Sequence, residues 1–276
     1  MRIVTREEHK KIQLDILKFV ADFCEKKGLR YFLSDGTMLG AVRHKGFIPW
    51  DDDIDIKMPR PDYNRMMRIF NEECGSERYR LINPRDKDAH HYFVKIIDTK
   101  TVKIEVEHDY STGFLGADID IFPMDGSPES EDEFLKWGKE IRSYNKAYSY
   151  TKRSLCLAFR ATIGDYVKGR VHPSWCWLFR SAPDIADKVA ALAEKYPFDE
   201  SKYVCFVGAW DLYRIPYECY KDYIMMKFED SEFRIPAGYD QALTAQYGDY
   251  MKLPPVEERA TLHKNNVFWK DDSGDK

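Results

Sequence analysis

The sequence predicts an α/β (α+β) fold: a mixed sheet core with an appended, mainly helical region. Three observations predict it. Strict polar–apolar alternation at DIDIKM (53–58) and GADIDIF (116–122) reads as half-buried strands. Stretches with apolar residues at helical spacing interleave with them through the first half of the chain. From Pro128 to about Tyr196 the pattern is mainly helical. A chain of 276 residues, 43% of them hydrophobic, can bury a core without a disulfide or metal staple.

The elements follow in order. Thr5 and Glu8 make a capping box; Ile12, Ile16, Phe19, Val20 and Phe23 recur at helical spacing, and Gly28 stands at the C-cap. RYFLS (30–34) reads as a short strand and GTMLGAVR (36–43) as a helix. HKGFIPW (44–50) is a loop, because Gly46 and Pro49 interrupt both periods. After the strand at 53–58, Pro61 opens a helix that runs to about Cys74 and closes at Gly75. YFVKIID (92–98) and VKIEVE (102–107) read as neighbouring strands, followed by the strand at 116–122. Within 202–255 the pattern supports only a short strand at Val204–Val207 and a helix near Gly238–Tyr247. The polar tail from Lys270 is expected to fray. The expected division is a catalytic core over 1–127, a helical region over 128–200, and a C-terminal segment, 201–276, packing back on the core.

Composition narrows the function. The net charge is −4, from 43 basic and 47 acidic residues, which disfavours a nucleic-acid binder. Aromatic residues make up 14%, suiting a protein that grips organic or sugar ligands, though cores use them too. Six cysteines without a C-x-x-C pair fit a reducing cytosol. The N-terminus has no apolar signal region and no run is long enough to span a bilayer, so a cytoplasmic location is expected.

The densest chemistry is DDDIDI at 51–56. Strand alternation points Asp53 and Asp55 one way and Ile54 and Ile56 the other. Asp51 joins the acids if the strand starts early, and Asp52 belongs to the loop. Crowded carboxylates raise one another's pKa or bind a cation, and oxygen ligands suit Mg2+ or Mn2+. A lone D-x-D is more often a solvated strand end. Two neighbours change the balance here. Upstream, Ser34-Asp35-Gly36-Thr37 joins a strand to a helix, where free backbone N–H groups face a phosphate. Downstream, Asp118-Ile119-Asp120-Ile121 repeats the alternation on another strand. This layout suits metal-dependent transfer of a phosphate-bearing group, since a cation neutralises the diphosphate and fixes the line of attack.

The stretch 33–56, LSDGTMLGAVRHKGFIPWDDDIDI, resembles the signature of the LicD family of phosphocholine transferases, which includes the fukutin-related proteins. DIDIFPMD (118–125) and YGDYMKLPP (247–255) are similar to its second and C-terminal blocks. The resemblance implies a nucleotidyltransferase-like fold. It implies transfer of phosphocholine, or a related phospho-group, from a donor such as CDP-choline to a glycan or lipid-linked glycan acceptor, releasing CMP. The acceptor class includes teichoic acid and lipopolysaccharide. It carries Asp53, Asp55 and Asp120 over as metal ligands, Asp51 as a further acid, and Gly36 and Thr37 as the phosphate-facing turn.

Other roles are expectations. Asp120 completes the metal site or serves as general base. Arg43 and Lys95 are candidates to neutralise departing CMP, the plainer reading being surface cations. Trp50 and Phe47 stack on cytosine or wall the site from water. His44 is a candidate base or a surface residue. Asp249 orients substrate or caps a turn, and His263 carries no argument. A choline cage would need aromatics such as Trp210 or Tyr213. Residues 151–180 hold six cations against Asp165 alone, interleaved with aromatics, so they are a candidate for peripheral contact with the inner face of the plasma membrane. A solvated basic helix face is the alternative. Two competing functions stay open: a nucleotidyltransferase that releases pyrophosphate, and a non-catalytic nucleotide-binding module.

Overall fold

The computed structural model describes residues 1–86, 89–105, 115–152, 178, 180–206, 213–259 and 265–270. Strands and helices mix as the α/β expectation requires. Strand β1 (Arg2–Ile3) leads into helix α1 (Arg6–Lys27). The capping box forms: Glu8 N donates to Thr5 Oγ1 at 3.2 Å and Thr5 N donates to Glu8 Oε2 at 2.9 Å. Gly28 ends the helix at φ 62°, a left-handed conformation that costs glycine nothing. The apolar stripe of α1, with Ile16, Leu17 and Val20 fully buried, packs on the central sheet. Each such side chain contributes about 1.5–3 kcal/mol by leaving water.

That sheet has the order β2 (Phe32–Leu33), β3 (Asp55–Pro59), β7 (Asp118–Ser127), β5 (Val94–Asp98), β4 (Tyr79–Ile82). Only β3 and β7 are parallel. Helix α2 (Asp35–His44) follows β2, and α3 (Arg60–Glu73) follows β3. The sheet's apolar face carries Ile54, Ile56, Ile96, Ile119 and Ile121, all buried in one core with α1 and with Phe70 of α3. The second half of β7 pairs with β8 (Tyr203–Cys205), which pairs in turn with β9 (Ile215–Pro216).

Several expectations need correction. The strand expected over 102–107 is not a neighbour of the one at 92–98. Both edges of β5 are taken, by β4 and β7, so β6 (Thr101–Glu105) turns away. It pairs with β12 (Asn265–Trp269), whose other edge takes β1. Alternation identifies a strand but does not choose its partner. Strand β3 begins at Asp55, leaving Asp53 in the loop that enters it, and β7 runs five residues past Phe122 to Ser127. The hairpin of β10 (Tyr223–Phe228) and β11 (Ser231–Pro236) was not anticipated; β11 alternates at Phe233 and Ile235, but in β10 Tyr223–Met226 is an unbroken apolar run.

In the helical region, α4 (Glu131–Thr151) packs on α5 (Ala182–Ala193) through Phe134, Trp137, Ile141 and Leu192. Most of the basic, aromatic stretch 151–180 lies outside the described residues, as does the tail from 271. The expected helix near 238–247 is α6 (Tyr239–Tyr247). No helix among the described residues is long and apolar enough to cross a membrane. Cys24, Cys74, Cys205 and Cys219 are free thiols.

The N-terminal cap gives a pH test. Hydrogen bonds from Arg2, then from the Thr5 backbone, pull the Glu8 carboxyl down to about 2 from 4.5. A depressed acid stabilises the fold above its unfolded pKa and loses that contribution as pH falls through the folded value. The difference in Tm between the parent and Glu8→Gln is therefore largest above pH 4.5 and shrinks toward pH 2. A gap independent of pH would show that the carboxylate charge contributes nothing.

Candidate active site

The site starts at the turn between β2 and α2. Ser34 is extended, and Asp35 follows at φ 47°, left-handed backbone that costs a non-glycine residue of order 1–3 kcal/mol. Side-chain bonds hold it there. Lys57 Nζ lies 3.0 Å from Asp35, and Gln246 Nε2 of α6 donates to Asp35 Oδ1 at 2.6 Å. The turn is also laced to the start of β3: Ser34 N donates to the Asp55 carbonyl at 3.0 Å, and Asp55 N to Thr37 Oγ1 at 2.9 Å. A Cβ on Gly36 would meet Asp51 Oδ2 at 2.6 Å. Only glycine therefore lets the Asp51 carboxylate lie against the first turn of α2, where backbone N–H groups attract negative charge. Gly36, Thr37, Asp51 and Asp55 thus converge.

Register supplies the next layer. Parallel pairing sets Asp55 opposite Asp120, and antiparallel pairing sets Asp120 opposite Lys95. Alternation puts Lys57 on the face of Asp55, and Asp118 and Phe122 on the face of Asp120. Lys95 Nζ donates to Asp118 Oδ2 and to Asp120 Oδ1, both at 2.5 Å. Lys103 Nζ donates to the other Asp118 oxygen at 2.6 Å. Burial alone would raise the Asp118 carboxyl, but Lys103 and Lys95 override it and hold the group well below the carboxylate range. Asp55 goes the other way. Burial, then Asp53, Asp35 and Asp120, push its carboxyl well above the ordinary value, opposed by Lys57. Burial would lower the Lys57 ammonium, and the Asp35 charge more than compensates, keeping it raised.

No three His, Cys, Asp or Glu side chains among the described residues are already arranged as a metal-ligand set. The donor chemistry nonetheless fits a hard cation: Asp53, Asp55 and Asp120 offer only oxygen, and Asp55 carries unrelieved repulsion.

The other expected residues lie around this centre. Arg43 is seven residues beyond Gly36 on α2, about 10 Å of helical rise away. Its Nη1 donates to the carbonyls of Tyr250 and Lys252 at 2.7 and 3.4 Å, tying the 247–255 block to the helix. The His44 and Trp50 rings meet edge to face at 6.1 Å, and Arg259 covers Trp50 at 5.5 Å. Phe47 packs on Phe228 at 5.0 Å. Asp249 is exposed, and its carbonyl accepts from Lys252 N at 3.1 Å, a turn contact. Tyr213 reaches the site: its hydroxyl lies 3.4 Å from Lys57 Nζ. Trp210 and His263 lie outside the described residues.

Sequence reasoning missed Asp35, Lys57, Lys103 and Gln246 as members of the site. Lys57 and Asp35 carried a signal, one sharing the face of Asp55 and the other standing inside the small-residue turn. Gln246 carried none, because only the tertiary fold brings α6 to this turn.

Opposite stability effects are expected from two neighbouring acids. Asp118→Asn takes the shared carboxylate from the buried Lys95 and Lys103, leaving Asp120 on Lys95, and costs about 3–5 kcal/mol. Asp55→Asn removes a repelled carboxylate and raises Tm at neutral pH with EDTA present. The raised pKa means ionisation of Asp55 opposes folding, so the parent loses stability as pH climbs above 3.8 through the folded value, and the Asn variant gains on it over that window. Thermal melts across pH check both signs.

Comparison with known proteins agrees with this geometry. Residues 28–156 match the family described as LicD/FKTN/FKRP, nucleotidyltransferase domain. The chain is 32% identical over 274 residues to the lipopolysaccharide cholinephosphotransferase LicD of Haemophilus influenzae, covering 97% of this chain and 99% of that protein. It is 37% identical over 59 residues to the human ribitol 5-phosphate transferase FKRP, covering 21% of this chain and 12% of that protein. The similarity to the bacterial transferase runs from end to end, through the turn, the acids of β3 and β7 and the C-terminal block, and on that ground the chain belongs to the LicD family and is a phosphotransferase.

Proposed function

We propose that this enzyme transfers phosphocholine, or a similar phospho-group, from a CDP-linked donor such as CDP-choline to a hydroxyl of a cell-surface glycan precursor, releasing CMP. One observation carries the reading: the in-register pair Asp55 and Asp120 stands beside the N-terminal turn of α2, with Asp51 and Asp53 at its entrance. Carboxylates next to a phosphate-facing turn repel a diphosphate unless a cation lies between them. Asp53, Asp55 and Asp120 would hold Mg2+ or Mn2+, which supplies neutralisation of the diphosphate when bound. Lys95 holds Asp120 in place from the neighbouring strand. Thr37 fixes the start of β3, so the turn and the acids move as one unit. In this reading Arg43 braces the 247–255 block, and Trp50 walls the loop that delivers Asp51. The similarity to a lipopolysaccharide cholinephosphotransferase supports choline as head group and a lipid-linked glycan as acceptor. The free thiols suit action in the cytoplasm.

Chromatography of CDP-choline incubated with the enzyme tests the reaction. CMP appears with Mg2+ and stops with EDTA. Asp53→Ala and Asp55→Ala lower the rate by on the order of a thousandfold while unfolding stays cooperative. Pyrophosphate from a nucleoside triphosphate instead of CMP would replace the reading with nucleotidyl transfer. Full activity in the Asp53→Ala, Asp55→Ala double variant would remove the cation site from these residues.

A further inference from the structure

A cavity of about 40 Å³ lies between α3, the second half of β7 and the pair α4–α5. Arg60, Asp125, Asn145, Tyr63, Tyr92 and Phe206 are among its lining residues. A water needs about 10–15 Å³ on this measure, so the space takes a short row of hydroxyl-sized groups. Aromatic side chains stand between the cavity and the acids. The Phe206 ring lies 4.6 Å from Phe122, two residues beyond Asp120 on the same face, and 5.7 Å from Lys57 Nζ. Tyr92 stands edge-on to Phe93 at 5.3 Å, and Phe93 meets Phe122 at 4.6 Å.

Two polar atoms in the wall are open to a ligand. Asn145 is only 5% exposed, yet its Oδ1 accepts no hydrogen bond. Arg60 spends Nε and Nη2 on Asp125, at 2.6 and 2.8 Å, and Nη1 makes no hydrogen bond among the described residues. A buried amide oxygen left unpaired costs about 1–3 kcal/mol, so a group that supplies its hydrogen bond is expected. The charge balance selects that group. Both guanidiniums in the wall already hold a carboxylate, Arg60 with Asp125 and Arg85 with Asp187, so no net positive charge remains for an anion. An apolar ligand would leave Asn145 Oδ1 unpaired and would offer Arg60 Nη1 nothing. A neutral ligand rich in hydroxyls satisfies both, and aromatic rings offer a surface to its C–H face.

We propose that this cavity takes the hydroxyl-bearing edge of a sugar or alditol unit of the acceptor, with Asn145 and Arg60 as its hydrogen-bonding groups. The acceptor role rests on the transferase reading above, whereas the cavity's affinity for a neutral polyol does not. Helices α4 and α5 would then set acceptor specificity while the sheet holds the donor.

The test uses ligand-observed NMR with glucose, galactose, N-acetylgalactosamine and ribitol on the full chain, alone and as Asn145→Leu and Ala190→Leu. The first variant removes the unpaired amide without emptying the site, and the second fills the cavity from α5. The parent binds at least one of these ligands, and both variants weaken that binding by about tenfold or more. CMP release from CDP-choline without acceptor stays unchanged in both, because neither residue touches the acids. A parent that binds none of the four, or binding equal in all three proteins, overturns the cavity assignment whatever the CMP assay gives. Variant-sensitive sugar binding in a parent that releases no CMP would keep the sugar site and overturn its acceptor role.

Discussion

Mutual repulsion among carboxylates drawn partly or wholly out of water governs this structure. Asp35, Asp53, Asp55, Asp118 and Asp120 crowd one end of a sheet face, and the lysines set among them are Lys57, Lys95 and Lys103. Charges taken out of water survive only when paired, and the pairing here is uneven. Asp118 receives two ammonium groups, whereas Asp55 faces three acids and one lysine. Much of the surrounding architecture follows from that imbalance. Lys57 must stay buried to answer Asp35, Gln246 must reach across from α6, and Asp35 must accept left-handed backbone to meet them both.

The rest of the molecule keeps this charge in place by being apolar elsewhere. On the opposite face of the same strands, isoleucines join α1 and α3 in a dry core. Away from the acids, the buried ion pair of Arg60 with Asp125 is matched one to one and bidentate. At the site, acids outnumber lysines beside a helix N-terminus. This is the arrangement expected when part of the neutralising charge, here the proposed cation, comes from outside the chain.

Much of this was legible in the sequence wherever the signal was local. The capping box at Thr5, the helix after Pro61 and the acids of β3 and β7 could be read because period, cap and spacing lie within a few residues. Strand pairing was not, because partners such as β6 and β12 stand far apart in the chain and nothing local encodes their meeting. The same reason hid half of the site. Lys103 reaches Asp118 only because β6 leaves the sheet of β5, and Gln246 reaches Asp35 only because α6 folds back. Arg43, a phosphate candidate in the sequence, grips the 247–255 block through main-chain carbonyls, a contact that no spacing announces.

The hydrogen bond from Gln246 to Asp35 has a biosynthetic meaning. The recognisable acids are complete once Asp120 has been made, yet the turn beside them is finished by a side chain more than a hundred residues later. A ribosome must therefore release the chain through Gln246 before the site can close, and a nascent product that stops short of it carries every acid without the bond that sets the turn. Gene fragments that preserve only the N-terminal signature would encode the acids but not their geometry.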